Sequence, residues 1–419
     1  MATPPRVVVG LHVSIRAMFV LAALLAASVP RPASGEDSWA QWRGMNRDGV
    51  SVETDILREW PSDGPTEVWR VPLGPGYASM SIVGKRLYTQ TSSGGDEVTV
   101  CLSVEDGSEI WRTPTGPRYE NGRGNGPRST PTLHDGKAYV MSSTGTLSAL
   151  DAETGDVLWS HDFVEEFGAT PPGWGYSCSP LVEGDVVMVE AGGPSDNALV
   201  GYNKDTGDLA WSIESGEAAY SSPTAITALG RRQALFLTHR GLTSVVPATG
   251  ETLWRYPWPE VLNVATPLLI DEDLIFVSAA YDKGCALVRI TEDGETMGAE
   301  LVWEGRTMRN HFNTSVAHGG YLYGFDNASL KCIEVETGED QWRSRGLGKG
   351  SLIRVLDRLI VLAEHGTLVL LDAAPDACTE LARVDVLKGR TWTPPCLAGG
   401  QLYLRNEEEL VRLDIAARY

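Results

Sequence analysis

The residues with the clearest capacity for chemistry are arginines, aromatics and amides carried on glycine-rich segments. Gly74-Pro75-Gly76-Tyr77 is the first such segment, and residues 118–128, which begin with Arg118 and end with Arg128, are the second. Gly173-Trp174-Gly175-Tyr176, Arg309-Asn310-His311-Phe312-Asn313 and Gly389-Arg390-Thr391-Trp392 follow. A guanidinium offers a planar fork of donors to a carboxylate or phosphate, and indole and phenol rings supply flat apolar walls. If the segments converge, Tyr77, Arg118, Arg128, Trp174, Tyr176, Asn310, His311, Asn313, Arg390 and Trp392 form a site for an anionic or aromatic planar ligand. The plainer expectation for the same residues is structural: the loops plug and rim a channel, and Trp174 and Trp392 pack between neighbouring sheets.

No catalytic residue is assigned. The seven histidines never approach metal-ligand spacing, so no zinc site is expected. Neither a Gly-x-Ser-x-Gly elbow nor a phosphate loop carries weight. Among the six cysteines no two are neighbours, and Cys-x-x-Cys-His is absent. Cys101 and Cys332 are expected as buried thiols, not as a disulfide.

The elements that must position these loops are legible from repetition. In residues 149–159 a small residue, Ala149, stands ten places before Trp159, and Thr154-Gly155 stands five and four places before it. The same frame fits Gly201 with Trp211, Ser244 with Trp254, Cys332 with Trp342 and, with Asp106-Gly107 in the turn, Cys101 with Trp111. Looser copies end at Trp303, after a longer turn containing Asp293-Gly294, and near Leu381, where tryptophan is lost. Out of phase with this frame run Thr130-Pro131, Ser179-Pro180, Ser222-Pro223, Thr266-Pro267 and Thr393-Pro394, with Ser79, Thr314 and Ser351 in equivalent places. Each opens a short strand.

A period of roughly 37 to 52 residues, with turn signals between short apolar runs, predicts four strands per unit and a radial all-β array. The tryptophan slots at 69, 111, 159, 211, 254, 303, 342 and near 381 predict eight blades. Trp69, Trp111, Trp159, Trp211, Trp254, Trp303 and Trp342 are read as blade-docking residues. Only three strands follow Thr393, and one surplus strand surrounds Trp69, so the two chain ends are expected to complete one blade and close the ring.

The chain has 419 residues, with 35 Lys and Arg against 55 Asp and Glu, a formal net charge of −20. That balance excludes a protein that tracks a phosphate backbone on a basic face. Arg6 and Arg16, the apolar run of residues 17–29 and the small residues Ala33-Ser34-Gly35 predict a signal peptide over residues 1–35. The run is too short for a transmembrane helix. Residues 36–65 are expected as an N-terminal strap and 66–419 as a single propeller domain.

These residues resemble the pyrroloquinoline-quinone-like (PQQ-like) propeller repeat, Ala-x-Asp-x-x-Thr-Gly-x-x-x-Trp, which residues 149–159 match throughout. The resemblance covers about residues 66–419. Trp39-Ala40-Gln41-Trp42-Arg43-Gly44, followed by Arg47-Asp48-Gly49, resembles the leader of exported bacterial members. The resemblance implies an eight-bladed PQQ-like β-propeller of four-stranded antiparallel blades. It also implies one of two activities. Quinoprotein alcohol or sugar dehydrogenases would require PQQ, calcium on Asp, Glu and Asn, and an Asp base. BamB-type outer-membrane assembly factors are scaffolds. The adjacent-cysteine disulfide often found in the dehydrogenases has no counterpart here, and no motif matches their calcium ligands. The lipoprotein cysteine of the assembly factors is absent too, since no cysteine precedes Cys101. The expectation is an exported, periplasmic or extracellular, non-catalytic binding or scaffold protein. Its partners would be envelope proteins or a small ligand at the channel mouth, with no nucleic acid, transmembrane segment or lipid anchor. The alternative is a PQQ- and calcium-dependent alcohol or sugar dehydrogenase.

Overall fold

The computed structural model describes residues 1, 2, 4, 38–259 and 262–417. The apolar run and cleavage site expected within residues 17–35 lie outside the described residues. The strands form eight sheets in a ring, an eight-bladed β-propeller. Blade 1 comprises Ser81–Val83, Arg86–Ser93, Asp96–Ser103 and Glu109–Pro117, each antiparallel to the next. Blades 2 to 7 repeat this meander and begin at Thr132–His134, Leu181–Glu183, Thr224–Ala228, Leu268–Leu269, Val316–His318 and Ser351–Val355. Among the described residues the only helix is Phe163–Phe167, capped by the Asp162 carboxylate. No described helix is long and apolar enough to cross a membrane.

The repeated tryptophan and the turn before it are two halves of one joint. In four blades the tryptophan lies on the outer strand directly opposite the small residue: Cys101 faces Trp111, Ala149 faces Trp159, Gly201 faces Trp211 and Cys332 faces Trp342. A bulge follows at once in every case and re-aims the strand. The indole then reaches the next blade, where its N–H donates to a turn carbonyl. Trp69 bonds Val104 at 2.8 Å, Trp111 bonds Ala152 at 3.2 Å, Trp159 bonds Lys204 at 3.2 Å and Trp211 bonds Pro247 at 2.9 Å. Trp303 and Trp342 do the same to Val335 and Ala374. The turn glycine lies beneath the ring. Gly250 has φ +70°, and a Cβ there would come within 2.6 Å of Trp211.

Trp254 departs from this rule. Its N–H donates to Gln233 Oε1 at 2.8 Å, within its own blade. The next blade carries a longer hairpin, Gly284–Asp293 and Thr296–Gly305, and a Cβ on its turn glycine Gly294 would meet nothing within 4 Å.

The Ser/Thr-Pro signal builds the axis. The Ser79 N–H donates to Thr130 Oγ1, Thr130 N–H to Ser179 Oγ, Ser179 N–H to Ser222 Oγ, and Thr266 N–H to Thr314 Oγ1, all at 2.9–3.0 Å. Hydroxyls thereby satisfy innermost backbone donors across blade junctions, where no sheet partner exists. Blade 8 joins the chain ends: Thr66–Pro72 pairs antiparallel with Glu409–Asp414, outside Gln401–Arg405 and Cys396–Ala398.

The strap closes one end of the axis. Trp39 pairs with Ile82 on the inner edge of blade 1, and Val50 pairs in parallel with Arg354 of blade 7, so two sheets gain a fifth strand. Between them Arg43 and Arg47, each 2% exposed, lie across the channel. Arg47 donates to the carbonyls of Ser179, Pro180 and Pro223 and to Thr132 Oγ1, reaching blades 2, 3 and 4. Arg43 donates to the Ser315 carbonyl before blade 6, and Trp42 Nε1 to Thr266 Oγ1 before blade 5. Ile56 bridges Ala416 at blade 8. Every blade is therefore tied to the strap. Desolvation lowers both guanidinium pKa values to about 10, so each stays charged at neutral pH, held by carbonyl dipoles.

Candidate functional site: the channel mouth

In a meander the connections between blades and the hairpins between second and third strands end on the same face. Both sets converge above the strap and enclose a cavity of about 230 Å³. Trp42 is part of the lining, held by its bond to Thr266, and it separates the cavity from the buried arginines of the plug.

The walls are a nearly continuous belt of rings. Tyr77 packs on Trp392 at 5.7 Å, Trp392 on Phe312 at 4.8 Å and Phe312 on His311 at 5.6 Å, measured between ring centres. His311 continues to Trp174 at 6.4 Å and to Tyr281 at 5.1 Å, and Trp174 to Tyr220 at 5.1 Å. Arg128 fills the interval between Tyr220 and Tyr77, its guanidinium 5.6 Å from the Tyr77 ring and 4.9 Å from Tyr119. These are cation–π distances.

Charge in the cavity opposes that of the whole chain. Arg123, Arg128 and Lys349 line it, with Glu364 as its one carboxylate. None of the three cations forms an ion pair among the described residues. Both Glu364 oxygens are engaged, one by Trp392 Nε1 at 3.1 Å and one by the Lys349 backbone N–H at 2.9 Å. Those bonds outweigh desolvation and lower its pKa, so it stays ionised. Desolvation brings the His311 pKa down to about 4, with the charges of Lys349 and Arg123 adding to the effect. At neutral pH its imidazole is an uncharged ring, with Nε2 3.0 Å from the Tyr281 hydroxyl. Burial pushes Tyr77 up to about 12, and its phenol donates to Glu407 while accepting from Arg390.

Of the ten residues singled out in the sequence, the structure brings Tyr77, Arg128, Trp174, His311 and Trp392 to the cavity. Arg390 stands behind the wall, stacked on Trp392 at 4.4 Å and bonded to Tyr77 and the Arg123 carbonyl. The other four lie elsewhere. Arg118 pairs with Glu120 on an exposed loop. Tyr176 is buried between blades, its hydroxyl donating to the Ala191 carbonyl. The Asn310 and Asn313 side-chain N–H groups donate to the carbonyls of Phe325 and Gly350.

Several lining residues escaped sequence reasoning. Arg123 and Phe312 sit inside segments that were recognised. Tyr281 and Glu364 sit on hairpins between second and third strands, a class of connection left out although it faces the same way. Trp42 comes from the strap, and nothing local to its sequence signals that it crosses the axis.

A calcium-bound quinone does not fit this donor set. Among the described residues no group of three or more His, Cys, Asp or Glu could hold a metal ion, and the cavity lining holds one carboxylate, Glu364, which already accepts a hydrogen bond on each oxygen. All six cysteines are free, and none lines the cavity.

Ring, docking joints and axial cup define a PQQ-like β-propeller. Residues 94–344 match the family model for outer membrane protein assembly factor BamB, and the chain belongs to that family. Its structure is similar to that of BamB from Moraxella catarrhalis, with a TM-score of 0.60 and 17% identity over 84% of this chain and 98% of that one. It is also similar to quinohemoprotein alcohol dehydrogenase from Comamonas testosteroni, with a TM-score of 0.65 and 12% identity over 91% and 81%. Identities this low establish the fold alone. In sequence, the chain is 24% identical to the Comamonas testosteroni enzyme over 242 residues, 52% of this chain and 32% of that protein. It is 28% identical to a quinoprotein ethanol dehydrogenase of Pseudomonas putida over 152 residues, 33% and 24% respectively. The matches thus span a third or less of these curated relatives.

Proposed function

We propose that this chain is a non-catalytic binding protein of the cell envelope, which receives an anionic, planar group at the channel mouth while its propeller body serves as a scaffold. The observation that carries the reading is the pairing of an aromatic belt with three cations that form no ion pair among the described residues. Such a cavity binds by stacking and charge. Membership of a family described as an outer-membrane assembly factor supports the scaffold role and a location outside the cytoplasm, with envelope proteins as partners.

The alternative is a dehydrogenase using PQQ and calcium, which the named sequence relatives favour. The donor set speaks against it, because a calcium ion takes six to eight oxygen ligands and the cavity lining offers a single carboxylate, with no cluster of three or more metal-ligating side chains among the described residues. The test is to incubate the purified protein with PQQ and Ca²⁺ and assay alcohols and aldoses with an artificial electron acceptor. The reading predicts no turnover above the protein-free control, and recovery of envelope proteins in a pull-down. Turnover with any alcohol or aldose would overturn it.

A further inference from the structure

The mouth cavity carries enough geometry to narrow its ligand, on the footing that it is a binding site as proposed above. Its depth is fixed from below. Trp42 is held by Thr266, and beneath it Arg43 and Arg47 fill the axis, so the cavity is a cup with one opening. Its volume of about 230 Å³ compares with about 150 Å³ for an apolar protein cavity that takes up one benzene. One or two fused rings fill such a cup.

Polarity selects among ring compounds. An aromatic cage without charge would favour a quaternary ammonium. Here three unpaired cations line the cage, so an ammonium is repelled and an anion attracted. The cations are not equivalent. Arg128 donates from Nη1 and Nη2 to the carbonyls of Gly126 and Gly124, and its guanidinium lies over Tyr77 and Tyr119, which fixes it in the wall. Lys349 Nζ and the Arg123 guanidinium have no ion-pair partner among the described residues. Both line the same cavity as His311.

We infer that the cavity takes a one- or two-ring aromatic carboxylate, its ring held within the aromatic belt above Trp42 and its carboxylate met by Lys349 and Arg123. Saturated acids lack the flat faces that the walls reward.

The test is calorimetric titration of the full protein with 2-naphthoate, 2-naphthylmethylammonium and cyclohexanecarboxylate, with tryptophan fluorescence as a second readout. The inference predicts saturable one-to-one binding of 2-naphthoate with a change in indole emission, and at least about tenfold weaker binding of the other two. Lys349→Gln, a half-exposed position, should weaken 2-naphthoate about tenfold with an unchanged melting temperature. Equal binding of the ammonium, or no binding of 2-naphthoate at millimolar concentration, would overturn the ligand class. Neither result touches the non-catalytic reading, which stands or falls on the turnover assay.

Discussion

Glu190 ends the second strand of blade 3, where Val186–Glu190 runs towards the mouth face. It is 2% exposed, one carboxyl oxygen lacks a partner, and desolvation raises its pKa from 4.5 to about 8. The folded chain therefore keeps this proton over a range in which the unfolded chain has lost it. The folded state binds more protons there, so stability falls as pH rises from about 4.5 to about 8, and then levels off. Glu190→Gln should remove that decline. Unfolding free energies of the two proteins from urea titrations should be close near pH 5 and diverge by on the order of 3 kcal/mol at pH 9, with the variant more stable. A midpoint that falls equally in both would place the decline elsewhere. His311 works in the opposite sense at the mouth: with its pKa near 4 it adds no charge at pH 6 to 8, so binding of an aromatic acid should be flat across that interval.

The blade joint makes sharper predictions at the scale of elements. Trp211→Ala removes a bond to the Pro247 carbonyl and the ring that lies on Gly250. It should cost about 3–5 kcal/mol, read as a lowered melting temperature. Gly250→Ala meets both a left-handed backbone and the Trp211 ring at 2.6 Å, whereas Gly294→Ala meets only the backbone, since nothing lies within 4 Å. The first substitution should be the more damaging by at least about 1 kcal/mol.

This joint was legible in the sequence because one small residue, one turn and one indole recur together whenever neighbouring blades must interlock. Eight tryptophan slots gave eight blades, and the pairing of residues 66–72 with the C-terminal strands followed from strand count. The mouth was legible only in half. Tyr77, Arg128, Trp174, His311 and Trp392 stand on loops whose glycines mark them, but Tyr281 and Glu364 occupy ordinary hairpins and become neighbours of the others only when the ring closes. Tyr176, Asn310 and Asn313 carry the same residue types on the same loops, yet their side chains donate to backbone carbonyls of Ala191, Phe325 and Gly350. Nothing in residue type distinguishes the two outcomes.

At the scale of the molecule, closure depends on buried cations held by carbonyls. Arg405, fully buried in blade 8, donates to the carbonyls of Gly74, Gly76, Ala78 and Gln90, and so locks the segment entering blade 1 onto the blade that completes the ring. Arg405→Met keeps the bulk and strips those donors, which should cost about 3–5 kcal/mol and make residues 73–80 the first site of limited proteolysis. Intact digestion patterns would place the seam elsewhere. The strap complements this seam by tying all eight blades at the axis and leaving a cup open at one face only. That cup, walled by rings and lined by unpaired cations, is the basis for reading the protein as one that binds without turning over. The most direct measurement is a calorimetric titration of the metal-free protein with Ca²⁺ in the presence of stoichiometric PQQ. The account predicts no saturable one-to-one calcium site. A stoichiometric calcium isotherm that appears only with the quinone would contradict it.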